Sequence, residues 1–248
     1  MEPLTLLALG VVAIAAGAMD SVAGGGGLLT LPALLIAGVP PTTALGTNKL
    51  QSSAGSSTAA LVYARGGAVQ PRTLLPAIAT TLVAAAAAAA LVRTLDTSAL
   101  ERWLPALLIA VALYVAVQPR LGEVETRARV GPRAHALSVA PLIGAYDGFL
   151  GPGTGSFHAL AFVGLRGMDL TRATAHTKVL NLTSNVAALA VFLLGGDAVL
   201  VAGAVMALGQ AVGARLGARA VLRRGSRLVR PLLVVVSLAM SVRLLLAA

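Results

Sequence analysis

The sequence predicts an all-α integral membrane protein built from two inverted-topology repeats. Three observations predict it: apolar runs recur along the whole chain, charge is scarce, and the two halves of the chain match. Of 248 residues, 57% are hydrophobic and 11% charged, whereas a soluble domain carries about 25% charged residues. A soluble helical bundle would need polar faces on its helices, and most of these segments have none.

Apolar segments lie near 4–22, 28–38, 43–64, 73–92, 103–118, 136–150, 154–164, 173–194, 198–214 and 228–246. The longer ones approach the ~20 residues that a helix needs to cross a bilayer. This predicts roughly 8–10 membrane segments in one transporter domain, 1–248. Repeat one covers 4–118, a polar linker 119–135, and repeat two 136–246. The linker carries Arg120, Glu123, Glu125, Arg127, Arg129 and Arg133. No basic stretch precedes the first apolar run after Met1-Glu2-Pro3, so the first helix is expected to be retained.

The duplication is legible residue by residue. A shift of 127 superposes Gly17 on Gly144, Asp20 on Asp147, Gly24 on Gly151 and Gly26 on Gly153. A shift of 129 superposes Ala44 on Ala173, Lys49 on Lys178, Tyr63 on Phe192 and Gly66-Gly67 on Gly195-Gly196. The lysines weigh most, because the chain has only two and both fall at the same repeat position. Internal similarity of this kind is a signature of transporter folds.

Charge predicts the orientation. The loop at 65–72 holds Arg65 and Arg72, while its counterpart at 195–197 holds Asp197. In the loop at 93–102, Arg93 and Arg102 are balanced by Asp96 and Glu101. Its counterpart at 215–230 holds six arginines. Basic loops stay in the cytoplasm, so corresponding loops face opposite sides and the repeats are expected to be inverted. Inversion needs an odd number of crossings per repeat. Each repeat is therefore expected to open with a glycine-broken or re-entrant helix, followed by about three transmembrane helices.

Gly24, Gly25, Gly26 and Gly27 form the first break, and Gly153, Thr154 and Gly155 belong to the second. Irregular backbone at membrane depth is tolerated where it is buried in protein or lines a cavity. A half-helix starting there also presents free N–H groups and a partial positive charge, which suit an anion. The half-helices starting near Leu28 and Gly155 are expected to meet near the midplane. Close helix packing is the alternative use of such glycines.

The helix after each break carries polar side chains. In repeat one these are Thr47, Asn48, Lys49, Gln51 and Ser52. In repeat two they are His176, Thr177, Lys178 and Asn181. Their appearance in both halves favours a lining for a polar solute over interhelical glue. The lysines are expected to balance an anionic ligand, with snorkelling to the interface as the alternative. Asp20 and Asp147 are expected to organise the breaks, and His158 or His176 is a candidate proton carrier. Gly209, Gly213 and Gly217 form a close-contact face within the chain or between copies, a candidate homo-oligomer contact. Trp103 and Tyr63 suit the interfacial belt.

Other classes are excluded or weakened. Without cysteine there is no disulfide, iron–sulfur cluster or thiolate metal site in this chain. No cofactor or metal is expected. The formal charge of +10 lies at helix ends and in short loops, so no nucleic-acid partner is expected. Gly24–Thr30 lacks the lysine of a phosphate loop, so the chain is not expected to hydrolyse ATP. No catalytic constellation stands out.

At these residues the sequence resembles the TauE/SafE family of sulfite and organosulfonate exporters. GAMDSVAGGGGLLTLPALLIAGVPPTTALGTNKLQSSAGSSTAALVYARGG resembles the family's opening signature, while GAYDGFLGPGTGSFHALAF and ATAHTKVLNLTSN resemble its second-half counterpart. The resemblance covers essentially the whole chain. It implies a multi-pass permease of the inner (plasma) membrane that moves sulfite, a sulfonate such as taurine or sulfoacetate, or thiosulfate. The residues themselves point to a small anion and alternating access, with proton coupling as an option. They are silent on sulfur. A transporter of another small solute or metal ion, or a membrane-embedded enzyme, are the alternatives.

Overall fold

A computed structural model describes residues 1–95 and 127–224. Every regular element among them is helical. In chain order they are α1 (Pro3–Ala23), α2 (Gly27–Ile36), α3 (Pro41–Arg65), α4 (Leu75–Arg93, entered through a 3₁₀ turn at Pro71–Leu74), α5 (Ala140–Phe149, continuing a π-helical turn at His135–Val139), α6 (Thr154–Gly164), α7 (Leu170–Leu194) and α8 (Leu200–Arg224). The expected segments at 103–118 and 228–246, the linker up to residue 126, and Trp103 lie outside the described residues.

Local chemistry explains the boundaries. Proline opens α1, α3 and the turn before α4, where its missing N–H has no helical partner to lose. Asp169 caps α7 by accepting from the N–H groups of Thr171 and Arg172. The stretches Pro3–Val22, Pro71–Arg93, Leu170–Leu194 and Leu200–Arg224 are long and apolar enough to cross a membrane. At 25 residues α3 is equally long, but its polar stripe lowers its hydropathy.

The packing exchanges the repeats. α1 packs on α8 of the other repeat, and its counterpart α5 packs on α4. α3 also packs on α8, and its counterpart α7 packs on α4. α3 and α7 meet at the centre. The direction of each helix follows from its contacts. Gly10, Gly17 and Ser21 of α1 meet successive turns of α8 near Val205, Gln210 and Gly217, so α1 and α8 run parallel. Along α3, Gly46, Leu50, Gly55 and Gly66 meet Asp197, Gly203, Gln210 and Leu222, so α3 is parallel to α8 as well. The Thr80 and Thr81 hydroxyls of α4 donate to the carbonyls of Ala136 and Ala140, while Gly148 lies on Ala85, so α4 and α5 run parallel. α3 and α7 are antiparallel, because Gly46 meets Phe192 while Lys49 meets Asn185.

These directions sort the arginines. Among the described residues, eleven of the twelve gather toward one end of the bundle, on the ends of α3 and α8 and the starts of α4, α5 and α7. Arg93 alone lies at the other end, where its Nε donates to Asp197 at 2.5 Å. Large apolar side chains such as Leu4, Leu142, Leu194 and Leu208 stand exposed on the outer surface, as in a protein whose solvent is lipid.

The Gly209, Gly213 and Gly217 face is buried against α1 of the same chain. An added Cβ at each would strike the backbone of Gly10, Ile14 or Ala18. Of the two expected uses of this stripe, the structure shows the one within the chain: the glycines serve close packing of α1 on α8.

Candidate functional site

Both glycine breaks fold into the middle of the bundle and touch. α1 ends at Gly24, whose φ of 77° is a left-handed conformation that glycine adopts freely. A Cβ at Gly24 would lie 2.5 Å from the Ser156 nitrogen, and one at Gly155 would lie 2.6 Å from the Gly24 Cα. Only two glycines can meet this closely. The chain then turns back, and α2 runs antiparallel to α3, with Thr30 beside Asn48. α6 does the same beside α7. The N-termini of α2 and α6 are thus brought together, with part of each first turn bonded inside the break: the Leu28 N–H donates to the Gly25 carbonyl and the Ser156 N–H to the Gly153 carbonyl.

Between them lies a small polar cavity. Asp20, Gly25, Gly27, Asn48 and Ser52 line it from repeat one. Asp147, Gly151, Gly153, Thr154, Gly155, Asn181 and Asn185 line it from repeat two. Ser52 and Asn181 are repeat equivalents, as are Asp20 and Asp147.

The two lysines sit behind this lining, and each crosses to the other repeat. Lys49 Nζ lies 2.7 Å from Asp147 Oδ1 and also donates to the Asp147 carbonyl and to Asn185. Ser184 donates to the other carboxylate oxygen of Asp147. Lys178 Nζ lies 2.9 Å from Asp20 Oδ2, and Asp20 Oδ1 accepts from the Gly26 N–H at 3.3 Å. Lys49 and Lys178 are 1% and 0% exposed, which rules out snorkelling. The pairs are unequal, for the Asp147 side chain is 3% exposed and that of Asp20 17%. One cause is visible in the sequence. Ser184 braces Asp147, while its repeat equivalent is Gly55, which has no side chain to offer Asp20.

Other predicted residues divide by position. Gly24 and Gly26 build the break, one by close packing and one by bonding Asp20. Gln51 donates to Thr30 and Asn48, and Thr30 donates to Asn48 at 2.6 Å, fixing Asn48 at the wall. Thr47 faces away, accepting from the Val199 N–H and donating to the Thr43 carbonyl. Thr177 is buried behind the wall. His176 bonds the Arg172 carbonyl through Nδ1 and packs on Phe162. His158 is fully buried beside the same ring. Tyr63, expected in the interfacial belt, is instead 0% exposed, and its hydroxyl donates to the Ser21 carbonyl at 2.7 Å. A tyrosine hydroxyl that has a carbonyl to bond can be buried where α1 and α3 meet.

Thr30, Gly151 and Asn185 complete the site but were not among the predicted binding residues. Each carried a signal. Thr30 is the lone polar side chain of an apolar half-helix, Gly151 aligns with Gly24, and Asn185 follows Asn181 by one turn. Among the described residues no cluster of metal-binding side chains is present.

The family model described as "Sulfite exporter TauE/SafE" matches residues 9–244. The chain is similar to the "Probable membrane transporter protein ORF9" of Sinorhizobium sp, 48% identical over 235 residues that cover 95% of this chain and 90% of that one. It is also similar to the "Probable membrane transporter protein YfcA" of Escherichia coli strain K12, 46% identical over 99% of this chain and 91% of that one. A "Probable membrane transporter protein" of Haemophilus influenzae is 42% identical over 94% of this chain. No solved structure matches.

Proposed function

We propose that this chain, which belongs to the sulfite exporter TauE/SafE family of membrane transporters, moves a small sulfur-containing anion through the cavity between its two glycine breaks. One observation carries the reading: two half-helix N-termini face a single small polar cavity whose fixed charges, two lysines and two aspartates, cancel. Beside this balanced set the N-termini of α2 and α6 carry a partial positive charge, which favours an anion.

Alternating access is supported by the directions of equivalent helices. α1 and α5 run oppositely, as do α3 and α7, and α4 and α8. Inverted repeats of this kind rock about a central site. The arginine-rich end is the cytoplasmic one by the positive-inside rule, and the bilayer is the inner (plasma) membrane. The family's description supports a sulfur-containing substrate, and the helix N-termini at the cavity support an anionic one.

The experiment is exchange of radiolabelled sulfite, taurine and sulfoacetate across proteoliposomes, with choline as a cationic control. Saturable exchange of at least one of the three and none of choline is expected. Exchange of choline, or of none of the three by folded protein, would sink the anion reading.

A further inference from the structure

All three histidines of the chain gather round one ring, that of Phe162 in α6. His135 stacks on it with centroids 4.7 Å apart, His176 lies at 5.5 Å and His158 at 6.4 Å. They come from different elements: His135 from the turn before α5, His158 from α6, and His176 from α7. His135 and His176 lie toward the arginine-rich end, and His158 lies deeper.

The cluster is rich in buried polar atoms without partners among the described residues. Seven buried side-chain polar atoms lack a partner among the described residues. Five of them belong to His135, His158, Thr177 and Asn181, and both ring nitrogens of His158 are included. Buried polar groups are normally satisfied, by protein or by water. The histidines meet at Phe162, Lys178 lies within electrostatic reach of His158 and bonds Asp20, and Thr177 and Asn181 flank Lys178 on α7, with Asn181 at the cavity wall. Repeat one has no such cluster, since Leu31 and Thr47 stand where His158 and His176 stand.

We propose that His135, His176 and His158 are stations of a proton route from the arginine-rich end to the Asp20–Lys178 pair, and that the chain therefore cotransports a proton with its anion. The inference rests on the anion-transport reading and adds its coupling ion. A proton arrives on one ring nitrogen of His158 and another leaves from the opposite nitrogen, so the ring is returned as the other tautomer. The proton ends on the Asp20 carboxylate, the more exposed of the two aspartates. Neutral Asp20 no longer balances Lys178, whose ammonium then adds a positive charge beside the cavity and strengthens anion binding there. Proton and anion thus favour each other at one site, which is the thermodynamic condition for moving together.

The charged and titratable groups around the route are named readily. Arg166 and His176 face His135, while Lys178 and His135 face His158. Arg172, Arg166 and Asp169 surround His176.

The test uses full-length protein in proteoliposomes with pyranine in the lumen. Two assays run in parallel: exchange of sulfite, taurine and sulfoacetate at equal pH, and accumulation driven by an acid exterior. The variants are His158→Gln and His158→Leu, the latter copying repeat one. Wild type should accumulate the exchanged anion under the gradient. At least one variant should keep exchange and lose accumulation by about tenfold or more. Accumulation equal to wild type in the variants would overturn the route. So would exchange without gradient response in wild type, or loss of exchange together with accumulation in both folded variants. If wild type exchanges none of the three, the anion reading fails, and pyranine then decides the route alone. Proton entry under a potassium diffusion potential that falls in His158→Gln sustains it, and entry absent or unchanged overturns it.

Discussion

Lys49 and Asp147 are 98 residues apart in sequence and 2.7 Å apart in space, with both side chains buried. This pair, and its repeat-related partner Lys178–Asp20, tie each repeat to the glycine break of the other. A lysine supplied only to balance a ligand would wait for that ligand. These lysines already have carboxylates.

The first prediction concerns that pairing. Removing one member of a buried ion pair leaves an uncompensated charge and costs about 3–5 kcal/mol. Lys49→Ala should therefore lower stability by about that amount. Lys49→Met with Asp147→Leu should recover most of the loss. Lys178→Ala should cost less, because Asp20 keeps partial access to water and the Gly26 N–H. Thermal unfolding in detergent, arranged as a double-mutant cycle, measures all three. Equal losses at the two lysines would contradict the asymmetry described above.

Gly24 gives the second. Alanine there would meet Ser156 and Gly155 backbone, and φ of 77° is strained for any residue with a Cβ. Gly24→Ala should abolish transport and lower the melting temperature. Gly38→Ala is the control, since its φ is 79° but open space surrounds it. Its loss should be about 1 kcal/mol, the local backbone cost alone. Similar losses in the two variants would mean that the contact between the breaks is unimportant.

A third prediction uses the absence of cysteine. Gln70→Cys lies in the loop between α3 and α4, and Ala198→Cys lies in the equivalent loop between α7 and α8. Inverted repeats place these loops on opposite sides of the membrane. A membrane-impermeant maleimide added to intact cells should label Ala198→Cys and spare Gln70→Cys until the membrane is permeabilised. Labelling of both from outside would refute the inversion.

Tyr63 supplies the fourth. Its hydroxyl joins α3 to the end of α1 through the Ser21 carbonyl. Tyr63→Phe should cost about 1 kcal/mol, read as a lower unfolding midpoint. An unchanged midpoint would mean that the freed carbonyl finds another partner.

Much of this was legible in the sequence, because bilayer physics restricts what a sequence can do. The apolar runs gave the helices, the glycine breaks gave the place where they stop, and the paired lysines exposed the duplication. What could not be read was who meets whom across the repeats. Lys49 and Asp147 share no local pattern, so the periodicity of α3 placed Lys49 on a helix and said nothing of its partner. The same limit hid the role of Thr47, whose partner is a backbone amide at Val199. It also hid the histidine cluster, since His135 lay at the edge of a polar linker and gave no sign of packing on Phe162. The GxxxG stripe on α8 was visible as a contact face, but not that α1 packs on it.

The most direct test of the central claim is anion binding at the cavity wall. Asn181 lines the cavity and its side-chain oxygen has no partner among the described residues, so Asn181→Leu fills the site without breaking a bond of that oxygen there. Equilibrium binding of labelled sulfite, taurine and sulfoacetate to purified protein should show saturable binding of at least one in wild type. That binding should be lost in a folded Asn181→Leu variant whose unfolding midpoint matches wild type. Undiminished affinity in that variant would contradict the account, because the anion would then bind somewhere other than between the two glycine breaks.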